Sequence, residues 1–309
     1  MTDKNTAMKT TVKLGVALGS GSARGWSHIG VLKALIEEGI HPEIVCGTSI
    51  GALVGASYVT NNIDKLDTWV RSLTKFDIAR LFEVKRSLNG FVNEDRLRLS
   101  LNKYVAEEAV LIESLDKQYA SISTELATGR EVWHSEGSIS EAMWASISLP
   151  GLFPAVNNNQ RWLVDGGLVN PVPVSVCKAL GADIVIAVNL NGDILNKRIN
   201  KTKKEEKSEQ GFGDKMSDLI TEYTGSNHSV RGKNNQPPGL FDVIAGSINI
   251  VQDRITRSRL AGDPPDVLLA PKLSHIGLLE FYRASEAIDE GKRSVQRLLP
   301  EIKDILEIN

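Results

Sequence analysis

Cysteine is nearly missing: Cys46 and Cys177 are the 2 cysteines among 309 residues, far apart in sequence, each in an apolar stretch and neither in a CxxC pair. That excludes a disulfide framework and a cysteine-based metal site, and it points to a reducing, cytoplasmic setting. A surplus of positive charge is lacking as well. With 36 Lys+Arg against 38 Asp+Glu the net charge is −2, so the overall basic field that drives non-specific nucleic-acid binding is absent. The opening residues, Met1 to Asn5, lack the cationic, apolar and small-residue succession of a secretory leader. At 41% apolar and 24% charged residues the chain has the profile of a soluble protein of one large α/β domain or two smaller ones.

The stretch Ile44 to Ile63 carries no charge over about the length that spans a bilayer, with Gly47, Gly51 and Gly55 in a GxxxGxxxG register. Its Thr48, Ser49, Ser57, Thr60, Asn61 and Asn62 argue against lipid, and a buried strand followed by a buried, glycine-rich helix accounts for the same pattern.

Periodicity supports that alternative. Val12 to Leu18 is an apolar run, followed at once by Gly19-Ser20-Gly21-Ser22-Ala23-Arg24-Gly25 and by a segment with Ile29, Leu32, Leu35 and Ile36 at helical spacing. A second short strand, Ile44 to Cys46, leads into another helical stretch. The order β-loop-α-β-turn-α predicts a mainly parallel sheet covered by helices, a three-layer α/β/α fold. Further helices are expected over Ile63–Leu73, Asn93–Val105 and Ser138–Ser146, with a hairpin of Tyr119–Leu126 and Glu131–His134, and strands at Trp162–Val164 and Asp183–Leu190. From 191 to 239 the composition turns polar, which predicts a mobile insertion with one short helix near Met216–Tyr223. A helix over Phe241–Arg259, a strand at Asp266–Ala270 and a closing helix over Leu278–Ile305 follow. The expected organisation is a flexible 1–11, a catalytic region 12–190, the insertion 191–239, and 240–309 completing the same domain.

Gly47-Thr48-Ser49-Ile50-Gly51 is a GxSxG pentapeptide at a strand-to-helix junction. There it acts as a nucleophile elbow: small residues on both sides permit a tight, strained turn that lifts the Ser49 hydroxyl toward substrate, and the Ile50 N–H opens a helix. A base is needed. None of the 5 histidines has catalytic flanks: His28 falls beside the glycine loop and is expected to pack there, and His275 is the one late candidate for a triad. Asp165, in Asp165-Gly166-Gly167 at the end of an apolar strand, is the other candidate, although an Asx turn would use the same triplet. Gly19 to Gly25 offers backbone donors, notably the N–H groups of Gly21 and Ser22. It lacks the GK[ST] ending of a P-loop and a complete GxGxxG, so no nucleotide cofactor is expected. Arg24 is expected to bond nearby carbonyls and pin the loop.

Together these elements resemble the patatin-like phospholipase family. The resemblance rests on Ser20-Gly21-Ser22-Ala23-Arg24-Gly25 as the family's GGGxRG-like oxyanion loop, on Gly47 to Gly51 as GxSxG and on Asp165 to Gly167 as DGG. The runs Ala23 to Leu32 and Ala145 to Pro154 look most like bacterial members similar to neuropathy target esterase. The resemblance implies a Ser49–Asp165 dyad, an oxyanion hole from Gly21, Ser22 and Ile50, and hydrolysis of acyl esters of lipids of the phospholipase or lysophospholipase type, with no metal or cofactor. A non-lipid esterase, an acyltransferase and an idle regulatory module are the alternatives. Ser20 and Ser22 stand where the family has glycine; a positive φ at Ser22 would cost about 1 kcal/mol. Leu149 to Pro154 is expected to line an acyl channel. An aspartate base near pH 4 implies activity persisting below pH 6. Residues 197–207, with six basic and two acidic side chains, could touch anionic head groups of a membrane surface, although a solvated charge run is the reading favoured for them.

Overall fold

The computed structural model describes residues 12–81, 94–192 and 240–308. The expected flexible N-terminus, the short helix near Met216–Tyr223 and the basic run 197–207 lie outside them.

Apolar runs with no polar face form the centre of the sheet. Strand β1 (Leu14–Leu18) is buried at every residue and pairs in parallel with β2 (Ile44–Thr48) on one side and with β7 (Ile184–Val188) on the other. Strand β3 (Gln118–Glu125) joins β2 in parallel, and β8 (Val267–Leu269) joins β7 in parallel. Alternate side chains face opposite layers. Val16, Leu18, Val45 and Ile186 belong to one core cluster; Ala17, Ile44, Cys46 and Ala187 belong to another. The first layer holds α1 (Ser27–Glu37), α2 (Ile50–Val59), α3 (Ile63–Ser72), α6 (Ile139–Ile147) and α9 (Ala284–Ile305). The second holds α7 (Val174–Ala179) and Leu260 of α8 (Leu240–Gly262). Helices α4 (Lys75–Leu81) and α5 (Glu94–Tyr104) complete the described set. The three-layer fold expected from the sequence is therefore present.

All ten residues of α2 are buried, which explains the uncharged run: strand β2 and a helix with no solvent face. Among the described residues no helix is long and apolar enough to cross a membrane. The two cysteines, distant in sequence, share the second core cluster as free thiols, and burial, then the Cys177 thiol, pushes Cys46 well above its ordinary range. The closing helix starts at Ala284 rather than Leu278, because Phe281–Arg283 forms a separate 3-10 turn.

The sheet turns antiparallel at β3. Its hairpin partner β4 (Glu131–His134) faces Ser121 to Thr124. Strand β6 (Arg161–Asp165), itself paired with β5 (Val156–Asn158), faces Ser123 to Glu125. A strand residue has one partner on each side, and β4 already occupies one side of β3 from 121 to 124. Strands β2 and β6 therefore share the other side, running toward each other: Thr48 stands opposite Ile122 and Asp165 opposite Ser123. Two strands meeting head to head on consecutive rungs of one ladder bring their ends together.

Candidate active site

At the end of β2 the chain turns through Ser49, with φ 57° and ψ −125°, a left-handed conformation that a residue with a Cβ occupies only at a cost. The turn is held from several sides. Ser49 N–H donates to Ser146 Oγ at 2.9 Å, and Ser146 Oγ donates to Ile122 O at 2.6 Å. Thr48 Oγ1 donates to Asn170 O at 2.8 Å. Position 51 touches the end of β1 so closely that a Cβ there would lie 2.1 Å from Leu18 O; only glycine lets α2 start where it does.

Ser49 Oγ donates to Asp165 Oδ2 at 2.5 Å. The other carboxylate oxygen, Oδ1, accepts from Gly167 N–H at 2.7 Å, capping the 3-10 turn Gly166–Leu168. The Asx turn and the serine partner, alternatives in the sequence, thus coexist on one side chain. Asp165 is 1% exposed, and burial pushes its carboxyl up to about 6, against the opposing pull of the hydrogen bonds from Ser49 and Gly167. Activity persisting below pH 6, expected from an aspartate near pH 4, does not follow from this environment: an aspartate raised to about 6 loses its charge near the pH where a histidine gains one, so an acid limb near 6 does not separate the two.

The glycine loop lies alongside. Gly19 N–H and Ser20 N–H are tied to Val188 O at 3.1 Å and Pro171 O at 2.8 Å, and Ala23 N–H to Leu278 O at 3.1 Å. Among the described residues the N–H groups of Gly21 and Ser22 meet no backbone acceptor. Ser22 has φ 53°, so the strain anticipated from its Cβ is present. Its hydroxyl is anchored, however, donating to Leu278 O at 2.6 Å. Arg24, 3% exposed, donates from Nε to Gly21 O at 3.1 Å and from Nη1 to Leu190 O at 3.3 Å, and burial lowers its guanidinium to about 10. It pins the loop as expected. His28 Nε2 lies 2.7 Å from Gly19 O and, fully buried, is held near 4 by its burial despite that bond; donation to a carbonyl places the ring proton on Nε2. His275 is no triad member: it is surface-exposed and pairs with Glu286 at 2.6 Å.

Ser49 and Asp165 open into a cavity whose walls are mostly apolar: Trp69, Leu73, Ile78, Leu97, Leu149 and Phe153 are among them. The expected lining by Leu149, Leu152 and Phe153 is present. The sequence missed Gln252 on α8, which enters the wall from the far end of the chain. It carries no motif, and only the fold brings it to the site. Among the described residues no cluster of three His, Cys, Asp or Glu is placed to hold a metal.

This is an α/β protein with a serine–aspartate pair at the head of an apolar cavity. The profile of the patatin-like phospholipase family matches residues 16–178, more than half of the chain, and the chain belongs to that family. It is 30% identical over 323 aligned residues to an NTE family protein of Mycobacterium tuberculosis, covering 91% of this chain and 89% of that one. Lysophospholipase nte1 of Emericella nidulans is 27% identical over 298 residues, covering 94% of this chain but 18% of the fungal protein. The solved structure of VipD from Legionella pneumophila aligns over 96% of this chain and 80% of its own at 14% identity and a TM-score of 0.38, too loose a likeness to bear on the fold.

Proposed function

We propose that the protein is a serine hydrolase that cleaves acyl esters of lipids, phospholipids or lysophospholipids, through a Ser49–Asp165 dyad. The observation that carries this is the Ser49 Oγ to Asp165 Oδ2 hydrogen bond of 2.5 Å at the head of an apolar cavity. As Ser49 Oγ attacks the acyl carbonyl, its proton passes to Asp165. The N–H groups of Gly21, Ser22 and Ile50 receive the oxyanion, each good donor contributing about 3 kcal/mol. Asp165 then gives the proton to the departing alcohol, leaving an acyl-Ser49 ester. Water, deprotonated by Asp165, attacks that ester; the acid leaves and the proton returns to Ser49. A carboxyl raised to about 6 is a better base for this than one near 4, since base strength follows pKa.

Supporting the lipid reading are family membership and the mostly apolar lining of the cavity. A fluorophosphonate probe should label the wild type and not Ser49→Ala; labelling that survives the substitution would remove Ser49 from its role. A panel of lysophospholipid, diacyl phospholipid and short p-nitrophenyl esters should show the long-chain lipids cleaved with the higher kcat/KM. EDTA should leave the rate unchanged, and abolition reversed only by Ca²⁺ would overturn the metal-free mechanism.

A further inference from the structure

Gln252 is 5% exposed, stands in the cavity wall beside Asn249 and has no part in the mechanism above. Its amide is oriented by a relay that starts at Arg24. A guanidinium only donates. Arg24 Nη2 donates to Asn191 Oδ1 at 3.4 Å, so Asn191 turns its nitrogen the other way. Asn191 Nδ2 donates to Gln252 Oε1 and to Ser20 Oγ, both at 3.3 Å, and Ser20 Oγ donates to the same Gln252 Oε1 at 3.2 Å. Both lone pairs of Oε1 are thereby used inside the protein.

The remaining end, Nε2, is a donor turned toward the site. A Cβ built on Gly167 would stand 2.3 Å from Gln252 Nε2 and 3.0 Å from Asp165 Oδ1, so nitrogen and carboxylate flank the same bare Cα. Among the described residues nothing accepts a hydrogen bond from Nε2, and it is not sealed off from the cavity.

Three directions lead away from Ser49. Apolar walls take the acyl chain, and the Gly21 and Ser22 N–H groups face the oxyanion. The departing alcohol must collect its proton from Asp165 Oδ2, so it lies on the side of this carboxylate, whose other oxygen, Oδ1, shares the Gly167 edge of the site with Nε2. We propose that Gln252 Nε2 donates a hydrogen bond to an oxygen of the alcohol half of the substrate, making it a residue that selects esters whose alcohol carries a further hydroxyl. This rests on the Ser49–Asp165 reading. It also gives Ser20 a purpose in place of the family's glycine: its hydroxyl helps fix the Gln252 amide.

The test compares 1-monooleoylglycerol with propyl oleate, the same acyl chain on an alcohol without free hydroxyls, in identical nonionic micelles. The wild type should favour the glycerol ester by about tenfold in kcat/KM. Gln252→Leu should bring the ratio near one, with the larger loss falling on the glycerol ester. Asn191→Asp, away from the cavity, keeps an acceptor for Arg24 but cannot donate to Gln252. The glutamine amide should then flip, Nε2 bonding the new carboxylate, and the preference should vanish with no further loss in the double variant. A wild-type ratio of one, an undiminished preference in Asn191→Asp, or an equal loss on both esters in Gln252→Leu would each overturn the proposal. Fluorophosphonate labelling at the wild-type rate in both variants supports an intact Ser49. Absence of labelling in the wild type would instead defeat the hydrolase reading, and this assignment with it.

Discussion

Replacing Asp165 with asparagine should stabilise the protein while abolishing its activity, and the gain should depend on pH in a defined direction. Asp165 is 1% exposed, and burial raises its carboxyl from the ordinary 3.8 to about 6. The folded chain thus favours the protonated acid. That contribution is fully present below about pH 4 and is lost as the pH rises through about 6. A gap of about two units, at ~1.4 kcal/mol each, amounts to about 3 kcal/mol. Asparagine is neutral throughout and keeps the shape: Oδ1 still accepts from Gly167 N–H, and Nδ2 can donate to Ser49 Oγ. The variant should match the wild type near pH 4 and exceed it by about 3 kcal/mol at pH 8. For a chain of 309 residues that corresponds to roughly 5 °C in melting temperature. Paired thermal melts at pH 4 to 8 read it directly, since other groups titrate alike in both proteins. A difference that stays constant with pH, or a variant that melts lower at pH 8, would show that the buried Asp165 charge does not destabilise the fold. The same carboxyl places the acid limb of wild-type kcat/KM near pH 6.

His28 should show the opposite slope. Its pKa is lowered to about 4 by burial, so its contribution is lost as the pH falls from 6.5 through 4; wild type minus His28→Gln should improve by about 3 kcal/mol between pH 4 and 7 in urea titrations, and a flat difference would count against a neutral buried ring. Gly51→Ala drives a Cβ to within 2.1 Å of Leu18 O, a backbone atom that cannot yield, whereas Gly55→Ala meets a Val45 methyl at 3.0 Å; the first should cost about 3 kcal/mol or more and the second under about 1, by melting temperature. Arg24→Lys keeps the charge but loses the fork over Gly21 O, Leu190 O and Asn191 Oδ1, so kcat should fall by roughly tenfold with KM little changed, and an unchanged kcat would show that the loop holds without it.

Local sequence carried the elements that local forces decide. Fully apolar runs marked β1 and β7, and small residues around Ser49 marked a tight turn. The closure of the site was hidden because it depends on pairing across distance. Nothing near Trp162 says that β6 runs against β3, yet that direction is what delivers Asp165 to Ser49. Burial is likewise a property of the fold, so the sequence placed Asp165 near pH 4 when the folded value is about 6. Leu278 lies at the start of the expected closing helix; instead its carbonyl stays free of helical bonding and takes the Ser22 hydroxyl and the Ala23 N–H. Gln252 and Asn191 showed no signal because an amide gains direction only from its neighbours.

The meeting of β2 and β6 on one side of β3 makes the spacing of serine and carboxylate a matter of two neighbouring rungs, independent of their separation of 116 in residue number. The turn 126–130, exposed at every residue, follows β3 and precedes β6. A chain cut there would leave the serine on one fragment and the carboxylate on the other, each inert alone. Docking of the second fragment's strand beside β3 would rebuild the pair, so the fold contains a natural seam at which reunion of two halves restores the Ser49–Asp165 hydrogen bond.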